Sequence, residues 1–297
     1  MHFVVAIPLD KGLASFIGKK GSENSIVFHN RIYNDNVIVA LMPSSLEDKV
    51  YGLAQSMLLS TQIVISTSNI DKNFGETLIA AGLLEKRVLF TNENEIGNLA
   101  KSAGIDAYEI CSKEELLDKI TEFKPKQDLA NGAKRVDIDK SFVVKGVGSV
   151  LLGIVTSGSI SVHDTLKHSS GKDVFIRSIQ SQDRDIETAP IYTRVGLAVK
   201  GIDAEEVEKG DILSSNAIKP EANLKAKLKV SDVVKEEIKE GSIYGFAINF
   251  SYTSAIVEQT GSEFGLKLDR PVPFERGDTF FLIRQKQPRL FASGVVL

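Results

Sequence analysis

The chain has 297 residues, of which 42% are hydrophobic and 25% charged, and a formal net charge of −3. It can therefore bury more than one core, and it has no overall charge to draw it to nucleic acid. Cys111 is the single cysteine, which excludes an intramolecular disulfide and any multi-cysteine metal site. No apolar run nears the roughly 20 residues that cross a bilayer. The opening MHFVVAIPLDKG reads as a first buried strand rather than a signal peptide, which predicts a cytoplasmic protein with no membrane partner.

From Met1 to about Phe123, short apolar runs alternate with segments of helical spacing, the pattern of a parallel α/β sheet. The predicted strands are Phe3–Ile7, Ser25–Phe28, Val37–Leu41, Ile63–Ser66, Val88–Phe90 and Ala107–Ile110. Leu46–Leu59, Gly75–Leu84, Ile96–Ala103 and Lys113–Phe123 carry the helical periodicity between them. Such a doubly wound sheet takes its ligands at the C-terminal ends of the strands. Lys124–Ala133, KPKQDLANGA, is polar, contains Pro125 and Gly132, and reads as a linker.

The texture then becomes all-β. Arg135–Ser215 alternates apolar and polar residues, with turn signals such as Ser157-Gly158, Ser170-Gly171 and Lys209-Gly210-Asp211, which argues for a small barrel. Asn216–Asn223 separates a second β-rich block with strands near Leu224–Val230, Ser242–Asn249, Ser254–Thr260, Gly265–Leu268, Thr279–Arg284 and Arg289–Val296. Charged Ser231–Glu240 reads as a loop or short helix. Gly146, Gly148 and Gly153 interrupt β-branched runs where a tight barrel must bend, while Gly158 and Gly210 suit turns of positive φ.

In the first β block, FVVKGVGSVLLGIVTSGSISVHD from Phe142 to Asp164 resembles the opening of the second domain of elongation factor Tu-type translation factors. Arg177–Ser181, then RVGLAVKG from Arg194 to Gly201, then EEVEKGDIL from Glu205 to Leu213 repeat the later signature of that domain in order. Arg270-Pro-Val-Pro, Gly277–Arg284 and Ala292-Ser-Gly294-Val-Val are similar to the end of the third domain. Gly75-Glu76-Thr77 adds a likeness to the archaeal and eukaryotic selenocysteine-specific elongation factor. The resemblance implies an α/β plus all-β protein: a doubly wound, degenerate P-loop GTPase-like domain over residues 1–125, then two small β-barrels over 134–217 and 222–297.

In that family, a Gly-x-x-x-x-Gly-Lys-Ser/Thr loop follows the first strand, its amides wrapping the phosphates while Lys neutralises them and the hydroxyl binds Mg²⁺. The matching stretch here is Pro8-Leu9-Asp10-Lys11-Gly12-Leu13-Ala14-Ser15, with Leu13 at the lysine position and Ala14 at the magnesium-ligating one. Lys11 is a partial replacement, and a helix starting near Ser15 offers amides to an anion. Where the family has Asp-x-x-Gly, this chain has Leu41-Met42-Pro43-Ser44. Where Asn-Lys-x-Asp reads guanine, it has Thr91-Asn92-Glu93-Asn94, so the Asn94 amide stands in for a carboxylate. These losses predict no GTP or Mg²⁺ cofactor and no catalytic residue.

The family also cradles the charged end of tRNA between the GTPase domain and the first barrel. By motif position Glu206 faces the terminal adenosine, Lys209 replaces a nearby Arg, and Asp139 and Phe142 border the aminoacyl group, although Val147 and Leu152 replace an Arg and a Thr. Lys225, Lys227 and Lys229 alternate on one strand face and read as solvated. His2, His29, His163 and His168 are scattered and predict no metal; His163 falls where the family commonly has a turn Gly. The reading that follows is a translation elongation factor-like protein that has lost GTP hydrolysis and binds tRNA, the ribosome or a translation protein, with no DNA partner. The alternatives are a diverged GTPase that still binds GTP and an interaction scaffold with no RNA role.

Overall fold

A computed structural model of the chain describes residues 1–46, 50–91, 96–124 and 127–297. The N-terminal part runs β1 (His2–Ala6), α1 (Lys11–Ile17), β2 (Lys19–Glu23), β3 (Ile26–Tyr33), β4 (Asn36–Pro43), α2 (Val50–Leu59), β5 (Gln62–Ser66), α3 (Lys72–Leu84), β6 (Arg87–Thr91), α4 (Gly97–Ser102), β7 (Tyr108–Cys111) and α5 (Leu116–Thr121). These strands form one sheet in the order β2-β3-β4-β1-β5-β6-β7, parallel from β4 through β7 and antiparallel across β2, β3 and β4. In β1, alternate side chains serve opposite faces. Phe3 and Val5 pack with α1 and α5, while Ala6 joins α2, α3 and α4, so helices cover both sides.

Two features depart from the sequence reading. The sheet has seven strands instead of six, because Lys19–Glu23, too polar to register as a strand, pairs along the exposed edge of β3. No helix is predicted between Phe28 and Val37, and the departure there is from the expected parallel pairing: β3 and β4 run antiparallel. They form a hairpin closed by Asn34 and Asp35 at φ 45° and 60°, the left-handed pair that a two-residue turn of this hand requires.

The predicted linker contains a short helix, α6 (Gln127–Ala130), whose Leu129 carbonyl accepts from the Gly158 amide at 2.8 Å. Next come β8 (Arg135–Val144), β9 (Gly148–Ser157), β10 (Ser159–Ser161), β11 (Thr165–His168), β12 (Asp173–Ser181), β13 (Arg184–Ile186), β14 (Thr188–Pro190), β15 (Arg194–Lys200), a 3-10 turn at Ala204–Glu206, and β16 (Ile212–Ser214). Their sheet order is β11-β16-β8-β9-β15-β12-β13, and an added β11–β12 pairing brings the sheet back to its first strand. β17 (Pro220–Val230), β18 (Ile243–Ile248), β19 (Ser251–Gln259), β20 (Phe264–Pro273), β21 (Thr279–Ile283) and β22 (Leu290–Val296) form a closed barrel in the order β17-β20-β19-β18-β21-β22. Residues 231–240 form no helix or strand, yet Val234 and Ile238 plug into this barrel's core.

The three units share apolar surface. Val4, Ile26, Phe28, Val39 and Leu41 of the first sheet pack on Ile154 of the first barrel and Phe250 of the second. Ala247, Phe281, Ile283 and Leu290 of the second barrel join the core beneath α2 and α3. Burying a side chain such as Phe28 or Phe250 is worth roughly 2–3 kcal/mol.

Candidate nucleotide cleft and tRNA-end groove

A cleft of about 300 Å³ opens at the C-terminal ends of β1 and β5, the edge of the sheet where a ligand is expected. Only Ile7, Pro8, Leu9 and Asp10 separate β1 from α1, a span too short to wrap a triphosphate. α1 starts at Lys11, four residues before the helix start read from the sequence, because Asp10 caps it by accepting the Leu13 amide at 2.8 Å. A carboxylate thus already occupies the positive end of the helix that would face a phosphate. Leu13, 4% exposed, and Ala14 point into the core shared with β1 and α5, so neither position looks into the cleft. Gly12 and Ser15 are exposed.

Across the cleft, Asp71 caps α3 in the same way, accepting the Asn73 and Phe74 amides at 2.9 Å each. The charged side chains that line the cleft are Asp10, Asp71 and Lys11, with Ser66, Ser68 and Asn69 between them. A lining with two carboxylates and one cation suits a cation or a neutral polar group better than a polyphosphate and fits magnesium triphosphate poorly. Pro43 is buried and ends β4 opposite Ile26, and the next amide, of Ser44, donates to Ser25 O at 2.9 Å. Thr91 is buried at the end of β6, where its carbonyl accepts the Thr67 hydroxyl at 2.7 Å. Asn92 and Asn94 lie outside the described residues. Among the described residues, no group of three His, Cys, Asp or Glu side chains is placed to hold a metal ion.

The second predicted site is divided by the structure. Phe142 stands 36% exposed on the outside of β8, beside exposed Val143 and Val147. Glu206 sits on the 3-10 turn. One of its oxygens accepts the Asp203 amide at 3.2 Å and the other is ion-paired with Lys172, a contact that holds its carboxyl below the usual range. Asp139 and Lys209 do not reach an open groove. Asp139 is buried and accepts from Arg194 at 2.7 Å. Lys209 approaches Asp139 at 3.8 Å, donates to the Ser25 hydroxyl, and lies 5.5 Å from the Phe250 ring centroid. Burial pulls the Lys209 ammonium below its ordinary pKa, Asp139 acts against that, and Arg194 adds to it.

Arg194 is the residue that sequence reasoning missed. Its guanidinium stacks 4.0 Å from the Phe28 ring centroid, and burial lowers its pKa despite Asp139. The signal was present in Arg135, Asp137 and Asp139, charged residues that alternate with core-facing Val136 and Ile138 on β8. Alternation identifies them as the outer face. It does not reveal that neighbouring units cover that face, leaving all three buried. Arg135 binds Asp278 of the second barrel through both terminal nitrogens at 2.9 Å and Asp137 at 3.1 Å. Burial raises the pKa of the Asp137 carboxyl even though Arg135 and the Thr156 hydroxyl favour its charged form.

No protein-family profile matches the chain. It is 27% identical over 283 residues to an uncharacterized protein of Methanocaldococcus jannaschii, covering 92% of each chain. It is 28% identical over 185 residues to the selenocysteine-specific elongation factor of the same organism, covering 60% of this chain and 39% of that one. Its fold matches the crystal structure of elongation factor SelB from Methanococcus maripaludis in complex with the GTP analogue GPPNHP. That match has a TM-score of 0.82 at 17% identity and covers 100% of this chain and 79% of the other.

Proposed function

From the homology of this chain to elongation factor Tu-type translation factors, we propose that it is a translation factor-like binding module that no longer hydrolyses GTP. The observation that carries the reading is the cleft beside α1. Asp10 occupies the anion-binding end of the helix, and Leu13 and Ala14 lie in the core where a lysine and a hydroxyl would be needed. No cofactor is assigned to this cleft. Titration with a fluorescent GTP analogue and Mg²⁺ tests the reading: no saturable micromolar binding and no phosphate release are expected, and binding with turnover would identify a diverged GTPase.

The partner in this reading is tRNA, the ribosome or a translation protein. Of the four residues carried over from the family's groove, Phe142 and Glu206 remain at the surface to meet it, whereas Asp139 and Lys209 are engaged internally. Filter binding of aminoacylated and deacylated tRNA across a salt series separates the classes. Real phosphate contacts weaken as salt rises; absence of salt-dependent retention would favour a protein partner.

A further inference from the structure

Each seam between the three units is closed by buried or half-buried polar side chains that hydrogen-bond or pair across it, although Arg194 Nη1, Asp139 Oδ1 and Arg135 Nε lack a hydrogen-bond partner among the described residues. Between the first sheet and the first barrel, Arg194 lies on Phe28, donates to the Ser22 hydroxyl at 3.3 Å, and is neutralised by Asp139. Lys209 reaches Ser25, and Ser25 in turn donates to Gln55 Oε1 at 2.9 Å. The Gln55 amide then donates to the Phe250 carbonyl at 2.7 Å, so one chain of hydrogen bonds touches all three units. Between α3 and the second barrel, buried Glu76 pairs with Arg289 at 2.7 Å, and the Ser293 hydroxyl donates to Leu83 O at 2.9 Å. Arg135 and Asp278 join the two barrels.

Units that move against each other normally meet through modest, wet contacts. Here separation would expose Phe28 and Phe250, take Arg194 off the Phe28 ring and Lys209 off Ser25, and strip buried Glu76 of Arg289, and Arg135 of Asp278, a costly state. The β3–β4 hairpin supplies most of the floor on the sheet side, and its backbone is paired from Ile26 to Pro43. No switch-like segment intervenes there.

We propose that the three units form one rigid body whose arrangement is fixed by these side chains, with Arg194 and Lys209 as the positioning residues, so that no nucleotide sets it. The inference does not depend on the loss of GTP binding. A chain that bound nucleotide without moving would keep it, and would fail only the titration described above.

The test is a pulsed-dipolar distance measurement on the full chain, with spin labels at Lys101→Cys and Glu187→Cys in a Cys111→Ser background. The expected result is one narrow population, unchanged by Mg²⁺ with GDP or a GTP analogue. In an Arg194→Met, Lys209→Met variant that retains its far-ultraviolet circular dichroism, the distribution should broaden. A second population or a nucleotide-dependent shift in the wild-type chain overturns the proposal, as does an unchanged narrow distribution in the folded variant. If that variant does not fold, the wild-type nucleotide series decides alone.

Discussion

At Leu13, restoring a family residue and preserving the fold are in conflict. A lysine there must place its ammonium in the core under α1, so Leu13→Lys is expected to lower stability by about 3 kcal/mol or more without restoring hydrolysis. Urea unfolding and a phosphate-release assay check both parts; robust hydrolysis would show that the other defects had been overcounted. Lys86 carries a pH prediction. Its ammonium donates to the carbonyls of Met57 and Leu58 at 2.7 Å and Ser60 at 2.5 Å, closing the C-terminus of α2, while desolvation of this half-buried side chain lowers its pKa to about 7. Below about 7 both states hold the proton and the cost of burying the charge is fully present. Between there and the unfolded value of about 10.4, the unfolded chain binds the proton that the folded one has released, so stability rises with pH. Wild-type stability in urea should therefore increase from pH 7 to pH 9 more than that of Lys86→Met, and equal slopes would refute the assignment. His163 shows what was legible at this scale. It stands at φ 71° in an exposed turn, as its occupation of a customary glycine position implied, and Gly158 and Gly210 have the expected positive φ of 64° and 96°.

Among the elements, strands with a strong apolar signal were readable and polar ones were not. β1, β4, β5 and β6 follow from their buried runs, whereas the KKGSE sequence of β2 earns its place only by pairing with β3. The start of α1 is read four residues late because its seven residues are too few to display a period, and that start is set by the Asp10 cap. The placement of α2 rests on a close approach that spacing alone does not announce. A Cβ on Gly52 would lie 2.5 Å from the Ser25 carbonyl oxygen, and Ser25 is itself held by Gln55 and Lys209. Alanine is the better helix former by about 1 kcal/mol, yet Gly52→Ala is expected to destabilise by about 1–3 kcal/mol through backbone displacement. Chemical denaturation of the purified variant is the check, and a stability gain would mean that β3 and α2 separate easily.

For the whole molecule, the order of an α/β unit and two barrels was legible from texture, but their mode of docking was not. Period-two patterning assigns Arg135, Asp137 and Asp139 to an outer face without saying whether water or another unit lies against it, and the same holds for Ser293 on β22. Because the seams bury both apolar and charged groups, heating should unfold the three units in one transition. Calorimetry and circular dichroism should give the same midpoint, and two resolved heat-absorption peaks would contradict this. The closed barrel has a further consequence for how the protein is made. β22 is the stave between β17 and β21, and the segment that contains it carries Arg289 and Ser293, which reach back to α3. Synthesis is vectorial, so the earliest unit to emerge must wait, with one flank of α3 uncovered, until residues 289–296 have been translated. Nascent chains arrested before Arg289 should be cut by protease near α3, and chains arrested well beyond Val296 should resist.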